Sequence, residues 1–282
     1  MMNDAEHVQL ENILILDRMN DLTVSDALYP FALDELLCRH TGKGGPAVCH
    51  IWRHPRAFIM GLRDSRLPQA EQSRQWLESQ DYEVAIRNSG GAAVPLDLGV
   101  VNISLILPKQ AQADLHFHRD FERMYKLIQL ALIETGSYVD KGEIAGAYCP
   151  GDFDLSIAGR KFCGIAQRRQ AHAYVVQAFV IAEGSGQERA QLVHEFYKQA
   201  TTGADSLDDY PQVVTNSTAS LEELTNMKQG AAHTFADAVK RVIQSHQTPS
   251  VLTDTASKLY LPAVCEVLKM TKTLRTRYEV KS

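Results

Sequence analysis

Short apolar runs, each closed by Gly, Pro, Asn or Asp, recur through the first two-thirds of the chain. NILILDR (12–18), AVCHIW (47–52), AFIMG (57–61), EVAIR (83–87), VVNISLILP (100–108), FDLSIAG (153–159) and AYVVQAFVIA (173–182) have the length, Val/Ile/aromatic content and flanks of β-strands. Between them the period changes. Pro30 opens a predicted helix to about His40, with Phe31, Asp34-Glu35 and Leu36-Leu37 in helical register. In DFERMYKLIQLALIETG, Phe121, Met124, Tyr125, Ile128, Ala131 and Leu132 share one face, opposite Glu122, Arg123, Lys126 and Gln129. Asp120 is the expected cap of this helix and Gly136 its stop. QERAQLVHEFYKQATTG predicts another helix, with Leu192, Val193, Phe196 and Tyr197 inward. From about Ser220 the pattern is wholly helical, through LEELTNMKQGAAHTFADAVKRVIQSH and SKLYLPAVCEVLKMTKTLRTRYEV.

Strands first and helices last predict an α+β architecture. The polar loop TTGADSLDDYP (201–211) is the expected boundary between a main α+β core, residues 1–210, and a helical C-terminal region, 211–282, packed on it. There are no internal repeats and no low-complexity tract.

Composition narrows the class. The 282 residues are 45% hydrophobic and 22% charged, which suits an ordinary globular protein and excludes disordered and fibrous classes. A net charge of -5 argues against a nucleic-acid binder held by bulk charge. The start, MMNDAEHVQLENILILDRM, lacks the basic region of a signal peptide, and no run reaches the roughly 18 apolar residues of a membrane span. Five cysteines (38, 49, 149, 163 and 265) include no CxxC pair and read as reduced thiols, so the expected compartment is the cytoplasm.

Three stretches carry candidate chemistry. In AYCPGDFDLS, Cys149 stands immediately before a Pro-Gly turn at the mouth of a strand, an unusual site for a purely structural thiol. In RNSGGAAVPLDLGVVNIS, Ser-Gly-Gly after a strand lets backbone N–H groups approach a ligand with no Cβ in the way. That stretch is neither a Walker A loop nor a GxGxxG turn, and a double glycine by itself is commonly a plain turn. In GRKFCGIAQRR, Lys161 follows a Gly159-Arg160 hairpin turn; a solvated edge lysine is the bland reading and a ligand-facing one the functional reading. Cys163 would share the face of Lys161 under strand alternation, which makes it a rival nucleophile, although its apolar run favours core packing. Cys38, Cys49 and Cys265 read as core. His116 and His118 lack further ligands, so no metal site is expected. His118-Arg-Asp120 has none of the other kinase signatures, and Thr41-Gly-Lys-Gly-Gly-Pro46 reads as a connector.

RNSGGAAVPLDLGVVNIS and GRKFCGIAQRR together resemble the paired motifs of the biotin- and lipoate-protein ligase and transferase superfamily, over roughly residues 25 to 250. AYCPGDFDLSIAGRKFCGIAQRR is similar to its branch of octanoyltransferases that move octanoyl from the glycine cleavage H protein to other lipoyl domains. The resemblance implies one catalytic domain, a mixed β-sheet flanked by helices. It implies Cys149 as nucleophile and Lys161 beside the acyl carbonyl, with Ser89, Gly90 and Gly91 walling the acyl pocket and Arg87 and Gly164 also in contact with substrate. It implies no cofactor, the H protein as octanoyl donor (GcvH) and the lipoyl domains of 2-oxoacid dehydrogenase subunits as acceptors, and no nucleic-acid or membrane partner. ATP-using ligases of the superfamily usually carry a third glycine and a His-Asp pair where this chain has Ala92 and Leu96-Asp97. An acyl-carrier-protein thioester donor, a lipoate ligase and a non-catalytic binder of lipoyl domains are the competing readings.

A free cysteine of pKa about 8.5 is only a few per cent thiolate at neutral pH, so the nucleophile needs a nearby positive charge, and Lys161 is the expected one. Backbone amides near Gly90-Gly91 can share oxyanion stabilisation. The acceptor lysine must arrive uncharged, and Lys161, Asp152 and His172 are the candidate bases. Amide-to-amide exchange is close to balanced in energy, so no ATP is expected. Arg168-Arg169 are expected either as a solvated face or as contacts steering an acidic carrier.

Overall fold

The run VVNISLILP is apolar except at Asn102 and Ser104, and the strand it forms is covered on both faces. In the computed structural model, which describes residues 10–109, 117–203, 210–248 and 255–278, this strand lies inside a seven-stranded sheet. The spatial order is β1 (Ile13–Arg18), β2 (Ala47–Trp52), β6 (Val100–Pro108), β10 (Ala173–Ile181), β9 (Arg160–Arg169), β8 (Leu155–Ile157) and β7 (Asp140–Lys141). The β1–β2 pair is parallel and its neighbours antiparallel, so the sheet is mixed. A smaller sheet has β3 (Arg56–Met60) between β4 (Glu83–Ile86), parallel to it, and β5 (Val94–Asp97), antiparallel.

Seven helices are found among the described residues: α1 (Tyr29–Thr41), α2 (Ala70–Glu78), α3 (Phe117–Ala131), α4 (Gly186–Ala200), α5 (Leu221–Leu224), α6 (Ala231–Ser245) and α7 (Val264–Tyr278). On one face of the large sheet, Val101, Ile103 and Leu105 of β6 pack against Met124, Leu127 and Ile128 of α3 and Phe235, Val239 and Ile243 of α6. On the other, Val100 and Ile106 join Phe31 of α1, Phe58 and Val94 of the small sheet, and Val193 and Phe196 of α4. Each such side chain taken out of water contributes about 1.5–3 kcal/mol. This two-sided burial is why β6 reads as a long apolar run interrupted only at Asn102 and Ser104, both of them buried. The C-terminal helices share these cores, α6 against α3 and α7 against α1.

All seven runs expected as strands form strands, although FDLSIAG keeps only Leu155–Ile157. GRKFCGIAQRR becomes the ten-residue β9, entered through a turn at Ala158 (φ 51) and Gly159 (φ 74), with Arg160 already in the strand. The glycine stretch conceals β5, and α2, which has no side-chain cap, has no clear signal in the sequence. Asp120 lies in the first turn of α3 rather than capping it; its carboxylate accepts from Gln167 at 2.5 Å and pairs with Arg169. His116 and residues 204–209 of the expected boundary loop lie outside the described residues. Among the described residues no helix is long and apolar enough to cross a membrane.

Candidate active site

Cys149 occupies the left-handed region of backbone space at φ 50, which is uncommon for a residue with a Cβ and costs on the order of 1–3 kcal/mol. Pro150 and Gly151 then turn the chain back toward β8, so the bend expected from the sequence is present. The thiol is 8% exposed and its sulfur is an acceptor. Arg87 Nη2, just beyond β4, donates to Cys149 Sγ at 3.1 Å, and the Ala92 N–H donates to it at 3.3 Å. The same Nη2 donates to Ala92 O at 2.5 Å, so one guanidinium ties the glycine loop to the sulfur. Gly91 makes this approach possible: at φ 105 it has a backbone that suits glycine, and a Cβ there would collide with Arg87 Nη2 and come within 2.9 Å of Cys149 Sγ.

Lys161 serves the backbone of this turn rather than its sulfur. It is fully buried, and its Nζ donates to Tyr148 O at 2.9 Å and Cys149 O at 2.6 Å and pairs with Asp154 Oδ2 at 2.8 Å. An ammonium has three hydrogens, and these three acceptors match them. The pair holds the strained residue from behind, where a buried cation needs such partners. Burial pushes the Asp154 carboxyl up to about 6, against the opposing pull of Lys161. Asp152, two residues earlier, is exposed, and so is His172.

A cavity of about 480 Å³ opens at the sulfur. Its reactive end is formed by Arg87, Gly90, Gly91, Cys149 and Asp154, and its walls by Phe31, Ile59, Val94, Leu96 and Phe179. Gly164 lets β9 pass under Phe179, since a Cβ there would sit 2.5 Å from the ring. Asn102, Ser104 and Gln177 add a polar strip. The last two donate to Asp34 Oδ2, and Asp34 Oδ1 meets His50 Nδ1 at 2.8 Å in a buried cluster. Behind the glycine loop, the Ala93 N–H donates to Tyr197 Oη at 3.2 Å and Tyr197 Oη donates to Asp64 Oδ1 at 2.8 Å. Asp64 Oδ2 accepts from the Gly61 N–H at 2.7 Å, and burial raises the Asp64 carboxyl above its ordinary range.

Of the residues singled out from sequence, Cys149, Arg87, Gly90, Gly91 and Gly164 line this one cavity, and Lys161 lies directly behind it. Ser89 is buried with its Oγ unpartnered and is not part of the lining. Arg168 and Arg169 do not line it either. Arg168 Nε donates to Glu35 Oε2 at 2.8 Å and Arg169 pairs with Asp120, so both charges are met within the fold. Cys163 is fully buried, its sulfur 3.8 Å from Gly164 O, and burial drives its thiol well above the usual range. The Ala92 N–H, Asp154 and the Asp64–Tyr197 pair escape a reading of the sequence. A backbone donor leaves no mark there, and CPGDFD offers two aspartates with nothing local to choose between them. Among the described residues no cluster of three or more His, Cys, Asp or Glu could hold a metal ion.

Residues 26–246 match the family model of the lipoyl protein ligase A/B catalytic domain. The octanoyl-[GcvH]:protein N-octanoyltransferase of Exiguobacterium sibiricum is 37% identical over 261 residues, 90% of this chain and 93% of that protein. The protein of the same name from Geobacillus kaustophilus is 40% identical over 211 residues, 74% of each. Among solved structures, lipoate-protein ligase A bound with ATP aligns with a TM-score of 0.64 at 17% identity, covering 96% of both chains. A bipartite lipoate protein ligase from Thermoplasma acidophilum aligns with a TM-score of 0.61 at 17% identity, covering 96% of this chain and 94% of that one. These structures share the fold. The chain belongs to the lipoyl protein ligase A/B catalytic domain family, in the branch made up by its octanoyl-[GcvH]:protein N-octanoyltransferase relatives.

Proposed function

We propose that this protein is an acyltransferase of protein lipoylation. It takes octanoyl from the lipoyl-lysine of the glycine cleavage H protein, holds it as a thioester on Cys149, and passes it to the lysine of lipoyl domains of 2-oxoacid dehydrogenase subunits. The observation that carries this reading is the Cys149 sulfur, held by Arg87 Nη2 at 3.1 Å and the Ala92 N–H at 3.3 Å at one end of a largely apolar cavity. The guanidinium donor holds the sulfur at the end of the cavity and meets the negative charge that develops on it as the C–S bond breaks. Once the carbonyl is attacked, the loop amide is close enough to help carry the oxyanion, a contribution of about 3 kcal/mol where such donors have been removed. The named relatives support octanoyl and the H protein as cargo and donor.

Amide and thioester differ in energy, so the acyl-enzyme is sparsely populated, but amide-to-amide exchange is nearly balanced and runs both ways without nucleotide. Octanoyl-H protein mixed with an apo lipoyl domain tests this. Intact-mass spectrometry should find the octanoyl mass on the acceptor with wild type and on neither acceptor nor enzyme with Cys149→Ala. A strict requirement for ATP, or undiminished transfer by Cys149→Ala, would overturn the reading.

A further inference from the structure

The transfer just proposed leaves a proton without a carrier, and any assignment of that carrier rests on the transfer itself. The departing lysine nitrogen must gain a proton as its bond to the carbonyl breaks, and the entering one must lose a proton as its bond forms. Arg87, Cys149 and Asp154 are the titratable side chains among the described residues lining the cavity. A guanidinium does not give up its proton in proteins, and the sulfur is the nucleophile. Lys161 lies outside the lining, with its Nζ engaged by Tyr148 O, Cys149 O and Asp154.

Asp154 stands differently. Its Oδ2 is held by Lys161 Nζ at 2.8 Å and accepts from the Gly151 N–H at 3.3 Å, which anchors that oxygen. Among the described residues its Oδ1 accepts no hydrogen bond, and the side chain sits one turn from Cys149 in the same cavity wall. We propose that Asp154 is the proton-transfer residue of the exchange, acid to the departing lysine nitrogen and base to the entering one. Burial raises the carboxyl to about 6 against the opposing pull of Lys161 from β9 and the Gly151 N–H, and the like charge of Glu143, from the segment after β7, adds to the rise. That value is close to the working range in which one group can both give and take a proton.

The steps balance. The Cys149 proton passes to the Asp154 carboxylate, and the sulfur bonds to the amide carbon. The C–N bond then breaks as the nitrogen takes the proton from Asp154, releasing a neutral amine. In the second half a neutral acceptor amine attacks the thioester carbon, Asp154 takes its proton, the C–S bond breaks and the sulfur recovers a proton. No oxidant, metal or nucleotide is consumed.

Two donors separate this role from a purely structural one. Octanoyl-H protein has an amine leaving group that needs a proton, whereas the octanoyl thioester of N-acetylcysteamine has a thiolate leaving group that does not. Asp154→Asn should slow single-turnover loading of Cys149 from octanoyl-H protein by about 100-fold or more. Its loss with the thioester should be at least about tenfold smaller. Asp154→Glu should recover part of the amide rate, and the limb of the wild-type pH profile near 6 should vanish in Asp154→Asn. Equal losses with both donors would reduce Asp154 to holding the turn, and an undiminished amide rate would remove it altogether; either result overturns the proposal. Wild type that loads from the thioester but not from octanoyl-H protein would instead overturn the amide-donor reading on which it rests.

Discussion

Cys149 and Cys163 lie within the reach of one lysine, yet their sulfurs inhabit opposite environments. Cys163, in the middle of β9, is fully buried, with Gly164 O at 3.8 Å as its weak partner. Cys149 is nearly as buried at 8% exposure, but it faces a cavity and receives a guanidinium and a backbone N–H. Burial alone raises a thiol and quiets it, as the direction of the Cys163 shift shows. What separates a nucleophile from a packing residue here is not depth but donors and access. Lys161 cannot make the difference by nearness, because its charge is already compensated by Asp154 at 2.8 Å.

The widest separation should appear in turnover. Cys149→Ser should reduce octanoyl transfer by at least about a thousandfold, because a hydroxyl in that position lacks a base strong enough to ionise it. Cys163→Ser should keep transfer within about tenfold, since its sulfur touches no reacting atom. Rates measured side by side on octanoyl-H protein decide it; comparable losses from the two substitutions would erase the distinction.

Next comes the donor. Arg87→Met removes the charged contact to Cys149 Sγ while keeping an unbranched apolar stem, and should slow alkylation of Cys149 by iodoacetamide about 10–100-fold at neutral pH. Arg87→Lys should restore only part, because one Nη2 bridges both the sulfur and Ala92 O in a fork that an ammonium does not reproduce. Alkylation of Cys163, read in the same peptide map, should stay slow in every variant. A Cys149 rate indifferent to Arg87 would make Lys161 the activating charge instead.

The two sulfurs also differ in how far their surroundings can be read from the sequence. The bend at Cys149 is legible because Pro-Gly is a strong local signal, and the cysteine in front of it has no obvious packing partner. β6 and β10 are legible because both faces are buried, which leaves long Val/Ile runs. The partner of the sulfur is not. Arg87 is 62 residues away in sequence, and only the packing of the small sheet against the large one brings it there. Lys161 stands out for its glycine neighbours, but whether a lysine is spent on a carboxylate depends on a buried Asp154 that the run CPGDFD does not distinguish from Asp152. β5 is hidden because Gly90-Gly91 and Pro95 look like loop residues.

The pH dependence of stability sharpens the contrast from the Cys149 side. The Asp154 carboxyl keeps its proton up to about 6 in the folded protein and releases it near 3.8 when unfolded. Between those values the folded state binds more protons, so the stabilisation this group gives is full below about 3.8 and is lost as pH rises through about 6. The loss is on the order of 3 kcal/mol, since each tenfold change in proton affinity is worth about 1.4 kcal/mol and the pull of Lys161 is already contained in the displaced value. Urea titrations of wild type and Asp154→Asn at several pH values between these limits test it: the wild-type advantage should shrink as pH rises. A gap that widens as pH rises would mean that the ion pair, not the protonated acid, dominates, and a constant gap would mean that the two offset each other.

The smallest effect belongs to Cys163 and concerns only packing. Its sulfur sits in the cluster formed with Leu155, Phe162 and Val180, where the fold has no charge or cavity to serve. Cys163→Ala removes one heavy atom from a fully buried site, so the cost is the lost transfer free energy plus a small void, about 1 kcal/mol. Cys163→Ser keeps the volume but buries a hydroxyl beside Gly164 O; whether that contact shortens into a proper hydrogen bond decides the sign of the difference between the two variants. Alanine should therefore lower the urea midpoint slightly without changing the slope, and leave octanoyl loading of Cys149 intact. A Cys163→Ala protein of normal stability with strongly reduced loading would break the comparison from its quiet side, since it would show that the packing under β9 sets the position of the reactive turn through Lys161.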